Sequence, residues 1–329
     1  MIMALFRPLQ LLARRARCAS SKAQGGLTPS QLWHFDTFGY VVLRNVIPAG
    51  EIEAANAAID AHPQDFRRRG GVTALATREA FRDGGDGRLD CGRMFEWKAP
   101  HCDPFRRFLC HPGVVPAVTD LVGPGFRLDH APLCFIHRKG GEGHDLHGGA
   151  CKADGTWYHE LAYEYKKGPY CRLLSASVAL TSTTSPEDGG FIIVPGSHKS
   201  NLPTPDSMED CQGEWAEVMH RPVINTGDVL LFTEAATHGT EPWTREQERR
   251  VVLYRFAPAT CAYGRAYLDR PEYEGLTEAQ AAVLQPPHHA RLDRNKVVVG
   301  SDGDVEVKLV ERDAEKKAFD RSVFGTDFF

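Results

Sequence analysis

Two short stretches concentrate the side chains that could do chemistry. Residues 143–163, "GHDLHGGACKADGTWYHELAY", hold His144, His147 and His159 close to Asp145 and Glu160. Residues 227–258, "GDVLLFTEAATHGTEPWTREQERRVVLYRFAP", read as a strand, a loop carrying His238 and, eleven positions on, Arg249 opening the next strand. A neutral imidazole suits Fe(II), and a guanidinium makes a bidentate pair with a carboxylate. Held on neighbouring strands of a rigid barrel, the two would grip a small diacid whose other end chelates the metal, a description that fits 2-oxoglutarate. Taken alone, His238 reads equally well as an ordinary loop histidine and Arg249 as an arginine on a solvent face.

The elements that must position these residues are legible on both sides. Thr28 and Ser30 are candidate N-caps for a helix carrying Leu32, Trp33 and Phe35, which Gly39 ends. "YVVLRNV" is a β-branched strand, and Pro48 precedes the helix "GEIEAANAAIDAH". Residues 65–100 are rich in Gly, Arg and Asp and read as a long loop or insertion, with "FRRRG" (66–70) as a solvated loop; "DPFRRFLCHPGVVPAVTDLVG" continues the helices to about residue 122. From Phe126 the pattern changes to short β-rich runs between turn residues: "FRLDHAPLCFIHR", "CRLLSASVALTS", "GGFIIVPGS", "RPVIN", "DVLLFTE" and "RRVVLYRFAP". Such a succession predicts a mainly β fold with flanking helices, a double-stranded β-helix (a cupin-like jelly roll). The expected division is a helical part over 27–122 and a jelly-roll core over 123–260, together one catalytic domain over 27–265. Residues 266–329 form a C-terminal extension with a helix at "LTEAQAAVL" and a hairpin around Asp302-Gly303.

Between the two chemical stretches lies "SPEDGGFIIVPGSHKSN" (185–201). With this block in place the sequence resembles the phytanoyl-CoA dioxygenase family of Fe(II)- and 2-oxoglutarate-dependent oxygenases, over roughly residues 27–260. The blocks that carry the resemblance are "LTPSQLWHFDTFGYVVLRNVIPAGEIEAANAAID", "DGGFIIVPGSHKSN" and "GDVLLFTEAATHGT" running on to "RRVVLYRF". The resemblance implies that His238 is the distal iron-binding histidine and that Arg249 pairs with the far carboxylate of 2-oxoglutarate, with Arg250 as the neighbour to be weighed against it. Thr240 stands where the family often places a hydroxyl on that same carboxylate. His198, in "PGSHKSN", reads as a structural turn residue rather than a ligand.

The departure is at the first ligand pair. The family usually supplies it as His-x-Asp, and strand alternation puts residues i and i+2 on one side. None of the three histidines in 143–163 is followed two positions on by a carboxylate. Three readings follow. In the first, His147 binds iron and Gly149 leaves the carboxylate position open, as in a branch of the family with "LHGG"; in related iron halogenases Gly or Ala stands there, and a halide occupies the position and is delivered to carbon in place of hydroxide. In the second, the carboxylate comes from elsewhere: Asp145, which shares the face of His147 in a regular strand, or Glu160 beside His159 across a bulge. The third is a degenerate site and a binding protein of the same fold. The resulting expectation is His147 and His238 as metal ligands, Arg249 and Thr240 as cosubstrate anchors, and Fe(II), 2-oxoglutarate, O2 and, in the halogenase case, chloride as cofactors. Hydroxylation of an unactivated C–H bond is the leading outcome and halogenation the runner-up.

Other groups carry less. Cys151 lacks the base and oxyanion hole a thiol nucleophile needs; Asp188-Gly189-Gly190 reads as a turn before a buried strand. Trp157, Tyr158, Tyr163 and Tyr165 either line a substrate pocket or simply pack.

In the 329 residues, 42% hydrophobic and 25% charged, there is material for a substantial core, and a net charge of -4 gives no electrostatic reason to expect nucleic acid. Nine scattered cysteines fit reduced thiols better than a disulfide framework. No apolar run reaches a membrane span. The expected partner is a small-molecule or lipid-like substrate whose identity the chain does not reveal. The first acidic residue is Asp36, after an Arg-rich, Ser-containing start; residues 1–26 read as a transit peptide, for a mitochondrion first, with a plastid or the cytoplasm as alternatives.

Overall fold

Thr28 accepts from the Gln31 amide while the Gln31 side chain returns to the Thr28 amide, closing a capping box on helix α1 (Pro29–Phe38); Gly39, at φ 83°, ends it in the left-handed conformation. The turn delivers the chain into strand β1 (Tyr40–Leu43), and helix α2 (Ala49–Asp60) follows Pro48. The computed structural model describes residues 26–82, 88–164, 168–209, 213–264, 273–288, 290, 294–309 and 313–327. Residues 1–25, and with them nearly all of the expected transit peptide, lie outside the described residues, as does Tyr165.

Strands β2 (Arg67–Arg69) and β3 (Arg88–Cys91), helices α3 (Asp103–Leu109) and α4 (Val115–Val122) and strand β4 (Arg127–His137) come next. They are followed by β5 (His144–His147), β6 (Leu174–Ala179), β7 (Gly190–Ile193), a single helical turn α5 (Asp206–Glu209), β8 (Val229–Thr233), β9 (His238–Glu241) and β10 (Arg249–Ala257). Seven strands form the main sheet in the order β1-β8-β6-β10-β4-β3-β2, and β5-β9-β7 form a second, smaller sheet. This is the jelly roll expected from the strand pattern. Beyond it, helix α6 (Glu278–Val283), the hairpin β11 (Lys296–Val299)–β12 (Val305–Lys308) and helix α7 (Ala314–Phe324) complete the chain; Ala279, Ala282, Val283 and Val297 are buried in the main hydrophobic cluster.

Period-two alternation in the main sheet divides its residues between two cores. Val229 and Leu231 of β8, Leu174, Ala176 and Val178 of β6, and Val252, Tyr254 and Phe256 of β10 face the helices. Leu230, Phe232, Val251, Leu253 and Phe135 face the small sheet and enclose the space between the sheets. On β10 the same parity that turns Val251 and Leu253 inward places Arg249 and Arg255 on the inner face, where both line the inter-sheet cavity.

Two expectations need correction. The stretch 65–100 is not only loop: its "RRR" forms edge strand β2, which pairs with β3, and β3 pairs with β4, extending the main sheet by two strands. Pairing to an existing sheet edge supplied the partner that the charged local sequence did not announce. "RPVIN" (221–225) is not a strand; Pro222 has no N–H to give to a ladder, and the Asn225 amide turns to the Asp228 carboxylate at 2.9 Å instead.

Candidate active site

His147 ends β5 and His238 begins β9, and the two stand directly opposite in the small sheet. Their rings lie 4.2 Å apart, centroid to centroid. His144 pairs with Thr240, so Asp145 and Leu146 together oppose the single Gly239, a bulge in β5. A Cβ at Gly239 would sit 2.8 Å from the His144 carbonyl oxygen, so glycine gives the bulge its room.

The bulge decides which side chains face the cavity. His144, not Asp145, stacks on His147 with centroids 3.8 Å apart. Asp145 turns away and accepts from the Thr77 amide (2.9 Å), the Arg78 amide (3.2 Å) and the Thr77 hydroxyl. The expectation that Asp145 could serve as the carboxylate ligand therefore fails, because it rested on unbroken alternation.

Both candidate ligands are oriented through their second nitrogen. Nδ1 of His147 donates to the Asp145 carbonyl and Nδ1 of His238 to the Ala236 carbonyl, each at 2.8 Å. That leaves each Nε2 as a lone-pair donor, the tautomer a metal ligand needs. Burial, then His238 beside it, pushes His147 down to about 3, and burial lowers His238 as well, so both rings are neutral.

The carboxylate that sequence reasoning missed is Glu234. Its carboxylate and the two imidazoles offer one ligand atom each, all within 4.8 Å of one another, and this is the only such group of three or more among the described residues. Glu234 Oε2 lies 3.6 Å from His238 Nε2, while Oε1 accepts from Arg255 Nε at 3.0 Å and from the Ser175 hydroxyl. Burial alone would raise its pKa; Arg255 and the Ser175 hydroxyl more than reverse this and hold it well below the usual carboxylate range. A signal for it was present: in "VLLFTE" the alternation that turns Leu230 and Phe232 inward continues to Glu234.

Gly149 donates its amide to the Glu234 carbonyl at 3.3 Å, and a Cβ there would meet only the Ala235 carbonyl oxygen, at 3.9 Å. A Cβ on Gly148, in contrast, would collide with the Ala236 carbonyl.

Arg249 and Thr240 line the same cavity as His147 and His238, a space of about 230 Å³. Arg249 is 4% exposed, and the one hydrogen bond of its side chain among the described residues is to His137 Nδ1 at 3.3 Å. Burial, with Arg88 second, lowers it to about 9. A buried guanidinium without a carboxylate is costly and suits an incoming one. Gly190, at φ 89°, makes the room: a Cβ there would stand 2.9 Å from Arg249 Nε. Arg250 points to the opposite side and pairs with Asp60 (2.7 Å) and Glu248 (2.9 Å), so it is not the cavity arginine.

The remaining candidates lie elsewhere. His159 is exposed in a short turn and outside the ligand group; the side chain of Glu160 is outside the described residues. His198 is buried, bonds the Asp36 carbonyl at 3.0 Å and packs edge-on against Tyr163, a structural role as expected. Trp157 and Tyr158 are 41% and 39% exposed and, like the buried Tyr163, do not line the cavity. Two His-x-Asp tripeptides do occur in the N-terminal half, His34-Phe35-Asp36 and His101-Cys102-Asp103. Neither joins a ligand group, and Asp36 instead accepts from Tyr163.

No curated protein matches the sequence. Among solved structures, the chain is similar to HygX from Streptomyces hygroscopicus, determined with nickel, 2-oxoglutarate and hygromycin B bound. The identity is 23%, over 76% of this chain and 95% of HygX, with a TM-score of 0.59. It is also similar to SnoN, the non-heme α-ketoglutarate-dependent epimerase of nogalamycin biosynthesis, at 20% identity over 79% and 92% of the two chains, with a TM-score of 0.51. At these identities the likeness is one of fold. The family is carried by a separate match of residues 35–251, well over half of the chain, to phytanoyl-CoA dioxygenase (PhyH). With strands β1 to β10 forming the jelly roll and the match spanning both site histidines, this chain belongs to the phytanoyl-CoA dioxygenase family of Fe(II)- and 2-oxoglutarate-dependent oxygenases.

Proposed function

We propose that the protein is an Fe(II)- and 2-oxoglutarate-dependent hydroxylase in which Glu234 supplies the carboxylate missing after His147. The observation that carries this reading is the ionised, buried Glu234, whose ligand oxygen lies within 4.8 Å of the ligand nitrogens of His147 and His238. Two neutral imidazoles and one carboxylate are the donor set suited to non-heme Fe(II). Iron, with 2-oxoglutarate and O2, supplies the oxidising power for cleaving an unactivated C–H bond.

The protein's own groups divide the remaining work. His147 and His238 present Nε2 because their Nδ1 protons are committed to backbone carbonyls. Ser175 and Arg255 hold Glu234 Oε1, which leaves Oε2 for the metal. Arg249, with Thr240 on the neighbouring sheet, receives the far carboxylate of 2-oxoglutarate. Phe135, Phe191, Phe232 and Leu253 keep the cavity walls apolar and reduce competition from water. The substrate in this reading is a small organic or lipid-like molecule.

Halogenation is the second reading, favoured by the open space around Gly149. A halide there would be a second buried anion close to Glu234, and Arg255 is already engaged by that carboxylate. Cobalt(II) reports the choice through its visible spectrum. In the hydroxylase reading the Co(II)-loaded protein is indifferent to chloride, and Glu234→Ala makes it chloride-sensitive. A wild-type spectrum that shifts with chloride would transfer the assignment to a halogenase.

A further inference from the structure

The register of the extended sheet aligns four polar residues that no motif connects. Arg249 of β10 stands opposite His137 of β4, His137 opposite Arg88 of β3, and Arg88 opposite Arg69 of β2. Directly opposed residues share a face of the sheet, and Arg249, Arg88 and Arg69 all line the site cavity. One row across four strands thus carries three guanidiniums and an imidazole. His137 is neutral, held far below its ordinary range by burial and by Arg249 and Arg88 on either side.

The acids nearby do not balance this row. Asp90 takes Arg69 Nε at 2.5 Å and Arg88 Nε at 2.6 Å, one carboxylate for two guanidiniums. Glu142 is the other buried acid close to Arg88 and Arg69, and burial raises its carboxyl. Arg88 is 4% exposed, and among the described residues its terminal nitrogens make no hydrogen bond. Its guanidinium carbon lies 4.4 Å from the Phe135 ring centroid, and that of Arg249 lies 5.3 Å from the same ring. Asp90 fixes Arg88 through Nε, which leaves the terminal nitrogens for something that enters the cavity.

We propose that Arg88 is a second anchor for the far carboxylate of 2-oxoglutarate, so that two guanidiniums, Arg249 and Arg88, receive it. The proposal rests on the oxygenase reading above. A carboxylate accepts up to four hydrogen bonds, and charge-assisted bonds from arginine are the strong ones. Arg88 comes from the 65–100 segment that extends the sheet, outside the motifs around His147 and His238. It would sharpen the choice of 2-oxoglutarate over keto acids that end in a methyl group.

The test is calorimetric titration of the full chain, loaded with Ni(II) and free of oxygen, with 2-oxoglutarate and with 2-oxopentanoate, which has the same carbon chain and no far carboxylate. Arg88→Met keeps the apolar stem over Phe135 and removes the charge. It should weaken 2-oxoglutarate on the order of 10- to 100-fold and leave 2-oxopentanoate unchanged, while Arg88→Lys recovers part of the loss. An unchanged ratio of the two affinities, or an equal loss for both keto acids, would overturn the proposal, the latter by assigning Arg88 a purely structural role. Arg249→Met is the control for the underlying reading. If that variant keeps the wild-type preference, or if the wild type binds no 2-oxoglutarate, the oxygenase assignment fails, and the Arg88 proposal fails with it.

Discussion

Glu234 makes two separable contributions, and substitution by glutamine should expose both. The first is structural. Arg255, with its side chain 22% exposed, has Glu234 as its ion-pair partner, and Glu234 is 9% exposed. Removing one partner of a fully buried pair costs about 3–5 kcal/mol; with Arg255 partly in water, about 2 kcal/mol is the scale for metal-free E234Q. For a chain of this length that is on the order of 3 °C in Tm. The second contribution is to the metal. A ligand present at 100 times its Kd stabilises by about 2.7 kcal/mol, so Co(II) at that excess should raise the wild-type Tm by on the order of 4 °C. Loss of a charged ligand weakens the metal at least about 100-fold, which removes nearly all of that rise. Arg255→Met separates the two effects: it forfeits the same ion pair but leaves the carboxylate free to bind. Differential scanning calorimetry with and without Co(II) should therefore show both variants destabilised, with the metal-induced rise lost in E234Q and kept in R255M. A full metal-induced rise in E234Q would refute Glu234 as a ligand.

Three further outcomes follow from the geometry. Asp145→Asn should cost about 1 kcal/mol by weakening its bonds to the Thr77 and Arg78 amides, and neither it nor His159→Ala should reduce the Co(II)-induced rise in Tm, whereas His147→Ala and His238→Ala should abolish it. Gly190→Ala places a Cβ 2.9 Å from Arg249 Nε at a backbone φ of 89°; calorimetry should find 2-oxoglutarate binding weakened several-fold with Co(II) affinity intact, at a stability cost of about 1–3 kcal/mol. His198 is pushed down by burial to about 4 from an ordinary 6.5. Between those values the unfolded chain binds the extra proton, so the contribution is fully present above pH 6.5 and is lost as the pH falls toward 4, by up to about 1.4 kcal/mol per pH unit. Urea midpoints of the metal-free protein should fall across this window, and His198→Gln should flatten the slope.

The parts of the fold that were legible are those where local pattern and tertiary role agree. Capping at Thr28, the left-handed stop at Gly39 and the alternation in β4, β6, β8 and β10 all follow from short-range stereochemistry. His147, His238, Thr240 and Arg249 converge on one cavity because the strand register brings them there. The candidate carboxylate was hidden because the expectation for it was local to the histidines of 143–163, whereas Glu234 follows directly after β8 of the main sheet. Asp145 was misread for a related reason: a bulge is set by the partner strand, here by Gly239, and leaves no mark in the alternation of β5 itself. Strands β2 and β3 were missed because their charged residues face a cavity and solvent rather than a core, so hydrophobic periodicity had nothing to register.

The central claim is that the protein holds Fe(II) through His147, Glu234 and His238 and chelates 2-oxoglutarate on it with no position left for a halide. Anaerobic reconstitution with Fe(II) and 2-oxoglutarate tests it through the visible iron-to-2-oxoglutarate charge-transfer band, recorded with and without chloride. The account predicts a band that is present and the same in both cases. A band that requires or shifts with chloride, or no band at all, would contradict it.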